Sequence, residues 1–375
     1  MAFIPGAKTY FSDSNDHILD LKNGLDFLDA GNQNIALIKR LGTNGFTAKS
    51  VKHEWTETAL KARSETVTID DSATALDVAD AYIYRVNEII RIENEFLRVT
   101  AIADLNTLTV TRGYGDSSAA AHTSKTAYSL GTADPENSQA PEGIADSASR
   151  LYNYVQTMSI GVELSNDEIA QLSTEGNPLN GQLERRFIEI NRELSKNVFY
   201  GQRNEDSSLK IHTMGGLTHF VTTNVTNVAG ALTLAAIDAK ILAIVEAGGD
   251  PKLMAMSPRQ KQKLDALDAS LVRIGKKDDQ SHTGGNPNVM TWQSGVLGHP
   301  LDIIVDQTVN TDELWILDTD HVAVGHLSNN GVVGNFHVED ATTPGQDGKQ
   351  KLIRGKYTLR VGQEKAHARL YGLTT

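Results

Sequence analysis

The 375-residue sequence has no cysteine. That excludes a disulfide framework, thiolate-bound zinc, iron–sulfur clusters and thiol catalysis. It also lacks any long apolar run. The best candidate, 232–247, is interrupted by Asp238, Lys240 and Glu246, short of the roughly 20 apolar residues a membrane span needs. An apolar leader is missing too, because Lys8, Asp13, Asp16, Asp20, Lys22, Asp26 and Asp29 punctuate residues 1–30. These absences predict a soluble chain, made and used in a cytoplasm. Nor is there an excess of positive charge. With 35 Lys and Arg against 47 Asp and Glu, the net charge is −12, which argues against affinity for bare nucleic acid.

What is present is Val, Ile and Leu in periodic runs, enough for about two or three folded domains at ordinary domain sizes. Residues 1–53 read as an arm. Phe3, Tyr10 and Phe11 are scattered among Pro, Gly, Ser and Asn, and Ile18, Leu19, Leu21, Leu25 and Leu28 allow one short helix ended by Gly31. Such a segment cannot bury its apolar side chains alone and needs a surface in this subunit or a neighbour. From Ser64 to about Leu130 the pattern is β. Strands are expected over 66–69, 82–86, 88–93, 96–103 and 107–112, with turns at Asn94-Glu95 and Asp104-Leu105-Asn106. Residues 131–149, with Pro135 and Pro141, read as a linker.

Residues 152–162 are extended again. Ser165-Asn-Asp-Glu168 matches a capping box, and a second helix restarts at Asn177-Pro178. Leu179, Leu183, Phe187, Ile190, Leu194 and Val198 then share one face for about 34 Å, until Gly201 stops the helix. Residues 215–327 alternate helix and strand. Leu234, Ile237, Ile241, Ile244 and Val245 form an amphipathic face closed by Gly248-Gly249, and 253–256 is a short buried strand. Ser257-Pro258 opens a helix with Leu264, Leu267 and Leu271 inward; a loop at 278–288 precedes core strands at 301–305 and 314–317. In 332–373, Leu352, Tyr357, Leu359, Val361 and Leu370 alternate with Lys351, Arg354, Lys356, Arg360 and Arg369.

No catalytic constellation stands out. Gly345-Gln-Asp-Gly348-Lys349 has neither phosphate-loop spacing nor the following hydroxyl, and Gly113-Tyr114-Gly115 lacks a third glycine and a helix. His53-Glu54 lacks a second histidine at the zincin spacing, and no Gly-x-Ser-x-Gly elbow occurs. His321 and His326 fall on opposite strand faces, and Asp265, Asp268, Asp278 and Asp279 read as a solvated loop region. We therefore assign no catalytic residue, cofactor or metal ligand. Between Gly345 and Arg369, seven Lys or Arg stand against Asp347 and Glu364. This stretch is either an ordinary solvated face or a contact with something acidic. A neighbouring copy is favoured over a phosphate backbone, since few aromatics interleave. On the long helix, Arg185–Glu189 and Glu189–Arg192 are spaced for local ion pairs.

The order of arm, β-rich loop, long helix, α/β domain and returning strands resembles the major capsid proteins of tailed bacteriophages, with the fold of Hong Kong ninety-seven type. Glu95-Phe-Leu-Arg-Val99, Leu108-Thr-Val-Thr-Arg-Gly-Tyr-Gly115 and His122 resemble a small β module recurring in tailed-phage structural proteins. The resemblance implies an α+β fold. Its parts would be an N-terminal arm (1–53), an extended loop (54–163) carrying the inserted module (about 64–131), a peripheral domain with a spine helix (164–214), an axial domain (215–327) and peripheral return strands (328–375). It implies a structural subunit that assembles with itself into hexamers and pentamers of an icosahedral head, the virion capsid, around double-stranded DNA held without sequence-specific binding. Assembly in the bacterial cytoplasm, a portal, a separate scaffolding protein and a possible decoration protein would accompany it; a membrane would not. Phe3, Tyr10, Phe11, Trp55, Lys351, Arg354, Lys356 and Arg360 are the expected intersubunit contacts. The alternatives are a phage tail, decoration or head–tail adaptor protein, and a soluble α/β enzyme acting through 215–327.

Overall fold

A computed structural model describes residues 36–41, 45–58, 64–81, 84–136, 148–170, 178–267, 290–292, 294–328 and 334–374. The expected helix at 18–28, Phe3, Tyr10, Phe11, Asn177, Asp268, Leu271 and the loop 278–288 lie outside these residues. The chain divides into two units, one formed by Thr56–Arg150 and the other by the flanking stretches.

The flanking unit is built on two sheets. In the first, Phe46–Ala48, Val322–Leu327, Gly348–Val361 and Gln156–Ser165 lie side by side in that order, and His337–Asp340 also pairs with Gly348–Val361. The longest ladder runs antiparallel from Gln156↔Tyr357 to Ser165↔Gly348. After it, the Ser165 hydroxyl accepts the Glu168 N–H at 3.2 Å and starts the helix Asn166–Ala170, as the capping pattern predicts. The 23-residue helix Pro178–Tyr200 comes next, with proline at its first position. Its Ile190, Leu194, Val198 and Phe199 pack with Met158, Ile353, Leu359 and Val361 of the sheet.

The second sheet has the order Val225–Gly230, Ala368–Leu373, Leu314–Leu317, Leu253–Met256, Leu301–Val305, Met290–Trp292. All four residues of Leu253–Met256 are buried, because the strand is central and both faces are covered. Leu253, Ala255, Trp315 and Leu317 face the core that holds the long helix. Met254, Met256, Leu314 and Ile316 face a second core with Ile237, Ile241, Ile244 and Leu264. Those last four come from Leu234–Glu246, whose cap Thr233 accepts from Ala236 N–H at 3.3 Å, and from Pro258–Ala266, capped by Ser257.

The sheets do not follow the sequence divisions expected above. Ala368–Leu373 pairs with Val225–Gly230 and Leu314–Leu317, not with the return strands of 328–375, while Val322–Leu327 leaves the 215–327 region for the other sheet. Strand exchange of this kind is decided by pairing between distant segments, which local pattern does not encode. Part of the expected arm also belongs to the folded body. The helix Ala36–Leu41 buries Leu37 and Leu41 in the first core, and Asp306 accepts the Leu37 N–H at 3.1 Å.

Three burial expectations need correction. Phe187 is 40% exposed and meets Phe336 edge-on, and Val245 is 38% exposed, since periodicity names a helix face without naming what covers it. In Gly348–Val361 Ile353 is buried with Leu359 and Val361, whereas Leu352 lies on the opposite face and is only partly buried. Glu189 pairs with Arg186 on the long helix.

Thr56–Arg150 forms an antiparallel sheet in the order Ser64–Ile69, His122–Thr132, Glu88–Ile92, Glu95–Asp104, Thr107–Thr111, Ala75–Asp77. Val67, Ile69, Leu76, Ile90, Ile92, Leu97, Val99, Leu108 and Val110 fill one face. Residues 84–86 are a turn rather than the expected strand; the Tyr84 hydroxyl donates to Glu65, tying that turn to the first strand. The hairpin turns at Glu93-Asn94, with Glu93 at φ 53°, so Glu95 opens the next strand. His122–Thr132 was not expected as a strand because most of its eleven residues are exposed, leaving almost no alternation to read.

Candidate functional site

The densest chemistry lies inside Thr56–Arg150, on the residues that carry the module resemblance. Glu95 points to the same sheet face as Leu97 and Val99 and is only 2% exposed, so its charge needs compensation. Arg112, continuing the inward face of Leu108 and Val110, supplies it with two 2.7 Å hydrogen bonds from Nε and Nη2. The Gly113 and Ala120 N–H groups donate at 3.2 and 3.1 Å. His122 Nε2 lies 2.9 Å from the same carboxylate, with its Nδ1 at 3.2 Å from Glu93. Burial pushes the Glu95 carboxyl up, but Arg112, Ala120, His122 and Gly113 outweigh it and hold the group at about 2. The remaining Arg112 donors reach the Asp70, Ala73 and Ala120 carbonyls, the last two at 3.1 and 2.6 Å.

All five groups of this network are committed to one another, so it fastens loops and offers no open position for a reacting molecule. Gly113 and Gly115 serve the same loop. Both have positive φ, 57° and 69°, a backbone shape that favours glycine, and Tyr114 N–H returns to the Phe96 carbonyl at 2.8 Å. This cluster escaped the sequence reading, which put Glu95 in a turn. Strand parity was the available signal, since it aligns Glu95 with Leu97 and Val99, and Arg112 with Leu108 and Val110.

The expected intersubunit residues are dispersed. Trp55 is 9% exposed, its ring 5.7 Å from Phe220 and 5.9 Å from His53, which itself stacks 4.5 Å from Phe46. Its own chain covers most of that surface. Lys351 pairs with Asp340 at 2.7 Å and Arg354 with Glu339 at 3.1 Å, both across the strand His337–Asp340. Arg369 pairs with Glu313 at 2.7 Å, and Tyr200 donates to the same carboxylate at 3.0 Å. Much of the basic stretch is thus neutralised within the chain. Lys356 and Arg360 sit on one sheet face opposite Thr157 and Ala323, and among the described residues no carboxylate lies within ion-pair distance of either.

Exposed apolar side chains mark other surfaces. Leu209 and Ile211, 68% and 51% exposed, occupy the hairpin formed by Asn204–Asp206 and Ile211–Thr213. Leu242 and Val245 share the outer face of Leu234–Glu246, and Tyr128 and Leu130 the outer face of the module sheet. Among the described residues no group of three or more His, Asp or Glu side chains is arranged to hold a metal, and no helix is long and apolar enough to cross a membrane.

A family model described as SU10 major capsid protein matches residues 9–374. Among solved structures, the capsid asymmetric unit of cyanophage A-1(L) is similar over 98% of this chain and 100% of its own, with 13% identity and a TM-score of 0.54. A structure from Microbacterium phage Oxtober96 matches over 97% and 98% at 12% identity, with a TM-score of 0.51. The capsid of a native GTA particle matches over 98% and 99% at 8% identity, also at 0.51. At such identities these structures establish likeness of fold. No curated protein is detectably similar.

Proposed function

Since the chain belongs to the SU10 major capsid protein family, we propose that its copies form the hexamers and pentamers of an icosahedral tailed-phage head of Hong Kong ninety-seven type. The observation that carries this reading is the extent of the match. It runs from residue 9 to 374 and so takes in the long helix, both sheets and the inserted module. A tail, decoration or adaptor protein would account for the module alone. In this reading Pro178–Tyr200 is the spine helix and Thr56–Arg150 the extended loop with its insertion. Its role is structural and not catalytic.

Self-assembly accounts for features that a solitary subunit leaves unexplained. Lys356 and Arg360 are cations on a chain of net charge −12, so an acidic neighbouring copy is the natural partner for them. Phe3, Tyr10 and Phe11, with the exposed Leu209 and Ile211, add apolar contact. Straps that bury well over 1,000 Å² per pair meet the size of a stable interface. Double-stranded DNA is packaged inside without sequence-specific binding, and the acidic balance disfavours its adsorption to the wall. A portal, a separate scaffolding protein and a possible decoration protein complete the particle, which is built in the host cytoplasm.

Sedimentation and electron microscopy of the expressed protein test this. Capsomers or megadalton shells are expected. A stable monomer or dimer under all assembly conditions, with or without scaffolding protein, overturns it.

A further inference from the structure

In the flanking unit, three connections carry the chain into or out of the six-stranded sheet from the five-stranded sheet and its helix: residues 221–224, 318–321 and 362–367. All three are tied into one knot. A single Glu364 carboxylate oxygen accepts the N–H and hydroxyl of Thr222 at 2.7 and 2.6 Å, and those of Thr223 at 2.7 and 2.9 Å. Asn224 donates to the Lys365 carbonyl at 2.8 Å, and Gly362 N–H to the His321 carbonyl at 2.8 Å.

His367 is fully buried at the centre and closes the remaining link. Its Nδ1 accepts the Asp318 N–H at 3.3 Å and its Nε2 donates to the Gly362 carbonyl at 3.1 Å. Both nitrogens are therefore committed to the neutral imidazole, since a proton on Nδ1 would set two donors face to face.

Charged and titratable groups lie on the segments around it, including Glu246 at the end of Leu234–Glu246, the helix that packs against residues 364–366. The turn before His367 supplies Glu364 and Lys365, and the 318–321 connection supplies Asp318, Asp320 and His321. Behind these stand Asp250, whose N–H meets Asp318 at 3.4 Å, and Lys252, which pairs with Asp320. Burial pushes the imidazole down, the Gly362 carbonyl opposes it, His321 adds to the fall and Glu364 resists it; the balance lies at about 4. Burial raises the Glu364 carboxyl, but the Thr222 and Thr223 donors hold it below the usual value.

We propose that His367 is a proton-operated latch: neutral, it ties the 318–321 connection to the 362–367 connection, and protonated, it releases that tie. The sign comes from linkage. A histidine held neutral by the closed form stabilises that form fully above its ordinary value of 6.5 and progressively less as pH falls toward 4. Between pH 7 and pH 5 this amounts to roughly a twentyfold gain in the open population. The latch stands on the fold alone and holds whether or not copies assemble.

The test is amide hydrogen exchange of the full-length protein at pH 7 and pH 5, corrected for intrinsic rates. Residues 318–321 and 362–367 should open about twentyfold more at pH 5. His367→Gln, whose amide can both accept from Asp318 and donate to Gly362 without titrating, should show no such rise. Equal rises in both proteins, or none in the wild type, overturn the latch. Should the variant not fold, exchange of the wild-type His367 Cε1 hydrogen against pH reads its titration directly. A midpoint below about 6 supports the proposal and one at or above it overturns it.

Discussion

A buried carboxylate is tolerable only while every neighbour does its part, and Glu95 makes the consequence of losing one measurable. Arg112→Met leaves the charge in place without its bidentate partner, at a cost of about 3–5 kcal/mol to the Thr56–Arg150 unit. Glu95→Gln combined with Arg112→Met should recover part of this, because no unpaired charge remains. Denaturant unfolding of the purified variants checks both. The pH dependence has a defined sign. With its carboxyl held at about 2 against an ordinary 4.5, Glu95 contributes stability that is complete above 4.5 and lost as pH falls toward 2. Wild-type stability should therefore decline through that window by about 1.4 kcal/mol per pH unit, and the Glu95→Gln variant should lack this share.

At the scale of elements, two rings rest on bare backbone. A Cβ at Gly325 would fall 2.6 Å from the Phe46 ring, and one at Gly355 would fall 2.4 Å from Phe336. Phe46 is paired in register with Gly325 and begins the stack that runs through His53 to Trp55. Gly325→Val must displace that stack and separate Phe46–Ala48 from Val322–Leu327, costing about 1–3 kcal/mol as overpacking. Near-ultraviolet circular dichroism should show Trp55 losing its fixed environment, and unchanged spectra and stability would falsify the packing account.

The elements themselves were largely legible from sequence. The capping residues Ser165 and Ser257, the proline at 178 and the 3.6-residue spacing all act within a turn or two, so their physics is present in any short window. The weakly patterned strand His122–Thr132 was not legible, because its burial depends on partners fifty residues away and its own residues are mostly polar. Of the candidate site, the cations were visible, but their neutralisation by Asp340, Glu339 and Glu313 was not, since pairing needs the register of strands brought together by the fold.

For the whole molecule, the two units carry separate cores, and each makes its own prediction. Residues 56–150 expressed alone should fold, with dispersed amide signals and cooperative unfolding, because Leu76, Ile90, Leu97, Val99 and Leu108 are buried by one another. Deleting residues 1–30 should leave a folded subunit, because the first core, as described, begins at Leu37. That truncation should nonetheless assemble poorly, and normal shell yield by sedimentation would remove the role of the arm as a strap.

By itself the sequence determined most of the helices and strands, where the long helix starts and stops, and that no thiol chemistry is possible. These features arise from composition and from contacts between near neighbours. Only the tertiary structure decided that Ala368–Leu373 joins Val225–Gly230, that Asp306 holds Ala36–Leu41, and that Glu364 and His367 knot three connections at one point. Each of these joins groups far apart in the chain, where the free energy of pairing must offset the entropy of closing a long loop, and no local pattern records which closure wins.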